Sequence, residues 1–210
     1  MIYLCYMIVI VDYKMGNLGS ITNIIKKVGH SSIVSSDIDV ISKASKIILP
    51  GVGAFDKAMQ NLNELNLIEV LNEKALIQKT PFLGICLGMQ LLTKHSEEGN
   101  VNGLGYIDAT IKKFQLNDFP ELKVPHMGWN EVQIPNAHPL CENLPEPSRF
   151  YFVHSYHAVC ENQANVLMKT RFGYDFDSAI HQNNIMGVQF HPEKSHKFGM
   201  QLFKNFIEKC

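Results

Sequence analysis

Pro81-Phe82-Leu83-Gly84-Ile85-Cys86-Leu87-Gly88-Met89-Gln90 is the stretch on which the fold turns. Pro81 to Ile85 reads as a short buried strand, and Leu87 to Lys94 as the first turns of a helix. Between them lies Gly-x-Cys-x-Gly, the spacing of a Gly-x-Ser-x-Gly nucleophile elbow with sulfur in place of oxygen. The glycines matter because an elbow is a sharp, strained turn in which a flanking Cβ would collide with neighbouring backbone. Such a turn leaves the Cys86 sulfur at the head of a helix, where backbone N–H groups and the helix dipole favour negative charge. Taken alone, a buried structural cysteine beside a glycine would look the same, since cysteine is among the most buried residue types.

Two other segments bear on the choice. Gly187-Val188-Gln189-Phe190-His191-Pro192-Glu193-Lys194-Ser195 is an apolar strand running into a His-Pro-Glu turn. Pro192 biases His191 toward extended backbone, and in extended chain side chains two apart point the same way. The His191 imidazole can then face a nucleophile while Glu193 holds its other nitrogen, the base-and-orienter arrangement of a triad. Alone, His191 would read as a satisfied structural histidine and Glu193 as a surface carboxylate beside Lys194 or Lys197. The second segment, Leu49-Pro50-Gly51-Val52-Gly53-Ala54-Phe55, follows the apolar run Lys46 to Leu49. Acyl chemistry at Cys86 needs donors aimed at an oxyanion; the N–H of Leu87 is one candidate, and a glycine loop on a neighbouring strand can turn another inward. An ordinary strand-to-helix turn would carry the same two glycines.

Composition narrows the class. At 210 residues and 46% hydrophobic, the chain can bury one substantial core, so residues 1–210 are expected to form a single domain. A formal net charge of −1 leaves no electrostatic footprint for nucleic acid or an anionic membrane. Cys5, Cys86, Cys141, Cys160 and Cys210 are odd in number and lack C-x-x-C spacing, which suits a reducing cytoplasmic compartment and argues against a disulfide frame or zinc site. Met1 to Val11 is apolar but lacks a basic lead and stops at Asp12, too short for a membrane span; it reads as the first strand with an irregular lead-in.

Met7–Val11, Ser32–Ser35, Lys46–Leu49 and Phe82–Ile85 are expected strands, with helices over Leu18–Val28, Phe55–Ala75 and Ser195–Lys209. Strand–helix alternation with buried strands implies an α/β fold, a mostly parallel central sheet with helices on both faces. Residues 104–134 and 150–180 are richer in strand-like runs and turns, suggesting an antiparallel portion. Cys86 then stands at a strand's C-terminal end, where open α/β sheets place ligands.

These segments together resemble the class I (triad) glutamine amidotransferases over nearly the whole chain. Asp12-Tyr13-Lys14-Met15-Gly16-Asn17-Leu18, Pro125-His126-Met127-Gly128-Trp129-Asn130 and Tyr151-Phe152-Val153-His154-Ser155-Tyr156 are similar to the branch that supplies ammonia to the cyclase making imidazole glycerol phosphate in histidine biosynthesis. The resemblance implies a triad of Cys86, His191 and Glu193, and an oxyanion region of Val52, Gly53 and Leu87. It implies that Gln90, Glu98, Ser155 and Tyr156 bind glutamine. It also implies a heterodimer, in which Gly16, Asn17, Trp129 and Lys194 face a (βα)8-barrel cyclase subunit. No cofactor or metal is implied. Lys14 departs from the family's usual glycine, and residues before Met7 look like an extension. His154-Ser155-Tyr156-His157 is expected as a strand lining the site. A stand-alone cysteine hydrolase, a non-enzymatic binding module and a paralogue serving a sugar-amidinating synthase are the competing readings.

Overall fold

The computed structural model describes residues 7–210; the expected extension before Met7, with Cys5, lies outside the described residues. From the N-terminus come β1 (Ile8–Val11), α1 (Leu18–Lys27), β2 (Ser32–Ser35), α2 (Ile38–Ser42) and β3 (Lys46–Gly51). Next are α3 (Phe55–Glu64), α4 (Leu67–Asn72), β4 (Phe82–Cys86) and α5 (Leu87–Leu91). Short strands β5 (His95–Ser96) and β6 (Val101–Asn102) lead to β7 (Ala109–Lys113), β8 (His126–Val132) and β9 (Ser148–His154). The chain closes with β10 (Tyr156–Cys160), β11 (Val166–Phe172), β12 (Tyr174–Gln182), β13 (Ile185–Val188) and α6 (His196–Lys209).

The sheet runs β2-β1-β3-β4-β13-β12-β10-β7-β5-β6, with β11 paired to β12, and β8 and β9 form a separate two-stranded ribbon. From β2 to β13 every pairing is parallel. Beyond β13 the pairings are antiparallel except β5 with β7. Alternate residues of the parallel strands enter two different cores, as a period of two requires. Val9, Val11, Ile47 and Leu49 pack with Ile41, Phe55, Ala58, Leu62 and Leu67 of α2, α3 and α4. Ile8, Ile10, Ile48, Leu83 and Ile85 pack with Ile21, Ile24 and Ile25 of α1 and Leu202, Phe203 and Phe206 of α6. Covering both faces is what buries β1, β3, β4 and β13 at every position and makes them apolar but for Lys46 at the start of β3.

Three expectations need correction. The helix expected over Phe55–Ala75 breaks at Asn66, whose left-handed φ of 54° ends α3, and continues as α4 and a wide π turn over Glu73–Ile77. Asparagine tolerates that conformation better than most residues, so it ends a helix as glycine does. The helix after Cys86 stops at Leu91 instead of reaching Lys94, with the Thr93 hydroxyl donating to the Gln90 carbonyl at 2.8 Å. β2 is not buried: it lies at the sheet edge, where Ile33 and Val34 are exposed. Among the described residues no helix is long and apolar enough to cross a membrane.

Candidate active site

The register of the parallel strands assembles the site. Gly51 at the end of β3 pairs with Cys86 at the end of β4, and Ile85 pairs with Val188 at the end of β13. Three carboxyl ends therefore meet, bringing Gly51–Gly53, Cys86 and Gln189–His191 together although they are distant in the chain. Cys86 has φ 55° and ψ −114°, a conformation rarely adopted by a residue with a side chain. Both flanking glycines are obligatory for the reason the sequence suggested. A Cβ on Gly84 would stand 2.7 Å from the Gly88 carbonyl oxygen, and one on Gly88 only 1.8 Å from that of Leu49.

His191 Nδ1 lies 2.8 Å from Glu193 Oε1, and their side chains are 3% and 1% exposed. Glu193 reaches this position by a route the sequence did not show. His191 is extended, as Pro192 demands, but residues 192–194 form a 3-10 turn that swings the carboxylate back under the ring. The imidazole's other nitrogen, Nε2, is buried and has no partner of regular hydrogen-bond geometry among the described residues, and Cys86 is the group that acts on the imidazole beyond Glu193. Burial alone would lower the His191 pKa; contact with the Cys86 sulfur and the Glu193 carboxylate outweighs it and raises the pKa. Cys86 also stands near the buried Tyr13, whose hydroxyl donates to the Pro50 carbonyl at 2.6 Å and is kept protonated by burial and by that sulfur.

A cavity of about 290 Å³ opens beside Cys86 and His191. Val52, Gly53 and Leu87 line it, as do Gln90, Glu98, Ser155 and Tyr156. Gly53 has φ +111°, open in practice only to glycine, while Val52 is 43% exposed at the mouth. Glu98 accepts from the Phe55 N–H at 3.1 Å; burial raises its carboxyl pKa against that bond's lowering effect, and Asp56 adds to the rise. The expected lining strand is present in part: His154 ends β9, Tyr156 begins β10, and His154 faces the cavity with them, whereas His157 does not line it.

Gln189 was not singled out from the sequence. It is fully buried, donates from Nε2 to the Cys86 sulfur at 3.7 Å, and accepts at Oε1 from Gln90 Nε2 at 3.0 Å. No local pattern marks it: Gln189 and Phe190 form a bend beyond the end of β13, and the side chains it meets lie 99 and 103 residues away in the chain.

The four residues expected to face a partner lie outside this cavity. Asn17 caps α1, accepting from the Ser20 N–H at 3.4 Å, and Gly16 beside it has φ +118° against Pro50. Lys194 Nζ sits 5.7 Å above the Tyr151 ring. Trp129 is 45% exposed, stacks on His196 at 5.6 Å and meets Tyr151 edge-on. Lys194 and His196 share a surface groove with Ser20 of α1, so the four positions follow one connected stretch of surface. Among the described residues no cluster of three His, Cys, Asp or Glu side chains is arranged to hold a metal ion.

The profile of the family described as glutamine amidotransferase class-I matches residues 9–210. A protein of Methanococcus maripaludis named imidazole glycerol phosphate synthase subunit HisH 2 is 57% identical, the match covering 97% of this chain and 100% of that one. A protein of the same name from Pseudomonas aeruginosa is 48% identical over 96% of this chain and 99% of its own. Among solved structures, a glutamine amidotransferase from Thermotoga maritima superposes with a TM-score of 0.67 at 19% identity, covering 99% of this chain and 86% of that one, a likeness of fold.

Proposed function

The chain belongs to the class I glutamine amidotransferase family, and on that premise we propose that Cys86, His191 and Glu193 are its catalytic triad and that the cavity beside them receives glutamine. It is the glutaminase subunit of an imidazole glycerol phosphate synthase, the histidine-biosynthetic enzyme whose HisH subunits from three organisms it matches at 48%, 49% and 57% identity over nearly the whole chain. The observation that carries the triad is the buried His191–Glu193 pair, with the free imidazole nitrogen turned to a sulfur on a strained turn.

The chemistry follows from those contacts. The Cys86 thiol gives its proton to His191 Nε2, and the sulfur attacks the side-chain amide carbon of glutamine. The amide π electrons move onto oxygen, and the Leu87 N–H with a donor from Val52–Gly53 stabilises the oxyanion. As the tetrahedral intermediate collapses, the C–N bond breaks and His191 delivers the proton to the leaving nitrogen, releasing ammonia and a glutamyl thioester. Water, deprotonated by His191, then attacks the thioester; glutamate leaves and the thiol is restored. Glu193 keeps the imidazole oriented and offsets its positive charge throughout. Glu98 suits the substrate ammonium, a charge-assisted contact, while Gln90, Ser155 and Tyr156 offer polar partners to the remaining groups. The partner in this reading is a (βα)8-barrel cyclase, docked on Gly16, Asn17, Trp129 and Lys194, through which ammonia passes to a ribonucleotide acceptor.

Cys86→Ala tests the assignment. It should abolish glutamate release from glutamine by the assembled synthase and leave synthesis from added ammonium salt largely intact. Cys141→Ala, Cys160→Ala and Cys210→Ala should keep glutaminase turnover. Turnover surviving in Cys86→Ala would remove the nucleophile from this reading.

A further inference from the structure

A line of hydrogen bonds runs from the ribbon strand β8 to the cavity. Asn130 Nδ2 stands 2.9 Å from the Arg171 carbonyl and 3.1 Å from His126 Nε2. His126 Nδ1 lies 3.0 Å from His154 Nε2, and His154 Nδ1 lies 2.7 Å from the Tyr156 carbonyl. The far end determines every proton in the line. A carbonyl only accepts, so His154 Nδ1 carries its hydrogen, and a neutral His154 must then accept at Nε2. His126 therefore donates from Nδ1 and accepts at Nε2, where the Asn130 amide supplies a donor. Asn130 spends its second N–H on Arg171, and its carbonyl accepts from the Glu131 N–H at 2.8 Å. No member is left without a partner, the condition under which a buried polar network rigidifies its surroundings.

Charge is kept out of the line. His126 is stacked between Phe152 at 4.8 Å and Phe172 at 4.3 Å, and His154 packs against Phe114 and Phe176, each at 5.3 Å. Burial holds the His126 pKa down at about 4. Burial holds that of His154 at about 3, aided by His126, His157 and His191 and opposed by the Tyr156 carbonyl. His157 is occupied elsewhere, by the Ala158 carbonyl and the Tyr174 hydroxyl.

The Tyr156 carbonyl is the junction with the cavity. It also accepts from Gln90 Nε2 at 3.3 Å, the nitrogen that donates to Gln189, and Gln189 in turn reaches the Cys86 sulfur. We propose that Asn130, His126 and His154 are positioning residues: locked in one tautomer, they hold the Tyr156 carbonyl and, through Gln90 and Gln189, the nucleophile. Because Asn130 adjoins Trp129 on β8, the line is also a physical route from the partner-facing surface to Cys86. It rests on the glutaminase reading of the cavity and adds to it how partner contact reaches the sulfur.

Two measurements test this. In the full-length chain labelled with ¹⁵N-histidine, NMR from about pH 5 to about pH 9 should show both rings neutral with hydrogen on Nδ1, against an ordinary histidine pKa of about 6.5. An Nε2–H tautomer at either ring, or titration of either near its ordinary pKa, overturns the line. The second uses the synthase assembled with its barrel cyclase. His126→Phe keeps the aromatic stack and deletes both nitrogens; kcat for glutamine should fall about tenfold, the effect of about one lost hydrogen bond, with KM nearly unchanged. His126→Asn, whose amide nitrogen takes the Nδ1 position, should recover most of the loss. An unaffected His126→Phe, or equal losses in both variants, overturns the positioning role. Wild type and Cys86→Ala run alongside: glutaminase absent from the first or present in the second rejects the cavity reading itself, and the positioning role with it, while the NMR result still reports whether the line exists.

Discussion

Cys86 shows at the scale of one residue how stability is traded for chemistry. Its φ of 55° with ψ of −114° costs a side-chain-bearing residue on the order of 1–3 kcal/mol, and pairing of β4 on both edges holds it there. Cys86→Gly should therefore be more stable than Cys86→Ala by about 1 kcal/mol in urea unfolding; equal stabilities would mean that the turn stores no strain. His191 makes a pH prediction with a definite sign. Contact with Cys86 and Glu193, outweighing burial, raises its folded pKa to about 10, above an unfolded value of about 6.5. Its contribution is thus fully present below about pH 6.5 and fades as pH rises toward 10. The stability advantage of wild type over Glu193→Gln should be largest near about pH 6 and shrink steadily above about pH 7. An advantage that grows with pH would contradict the pairing.

Among the elements, the loop after β3 and the ribbon strand β8 bear most on regulation. Gly51–Val52–Gly53 joins a fully buried strand to α3, yet Val52 is exposed at the cavity mouth. A donor on such a loop is free to be misaligned until something covers it. The isolated chain should therefore hydrolyse glutamine slowly and gain about 10²–10³ in turnover when the cyclase and its ligand bind, the worth of one oxyanion donor. Full activity without the partner would count against this gating. β8 offers Trp129 to solvent, braced by His196 and Tyr151. Trp129→Ala should weaken assembly or its stimulation of glutaminase while leaving the thermal midpoint of the free chain nearly unchanged, because so much of the ring is exposed. Unfolding of the free variant, or unaltered binding and stimulation, would refute the interface.

For the whole molecule, the sheet is a device for bringing three strand ends together, with helices on both faces keeping the parallel half dry. The antiparallel half and the β8–β9 ribbon wall the cavity on its far side, contributing His154 and Tyr156. The glutaminase half-reaction is built into this scaffold; the acceptor is a matter of which synthase covers the outer surface. Mixing the chain separately with a histidine-pathway cyclase and with a sugar-amidinating synthase should give glutamate release only with the cyclase and its own acceptor. Activation by the sugar-amidinating synthase instead would reassign the pathway.

Local pattern alone was enough for the strands around Cys86, the glycines beside it and the His191–Glu193 pair. Each depends on neighbours within a few residues: an apolar run, a missing Cβ, a proline. Even so, the pair was expected from extended geometry and arises from a 3-10 turn, since Pro192 constrains the residue before it and leaves the next two free to fold back. The break at Asn66 leaves no mark in the pattern because the apolar period continues through it, and only the packing of α3 and α4 on the sheet shows where the axis turns. Gln189 as a partner of the sulfur, and the line from Asn130 through His126 and His154, were decided by tertiary structure alone. His126 and His154 are 28 residues apart and Gln189 and Cys86 are 103 apart, and the sense of the bonds through both histidines depends on a carbonyl contributed by a different strand. Sequence periodicity records which face a residue takes, whereas a proton's position in a buried network depends on which groups meet there.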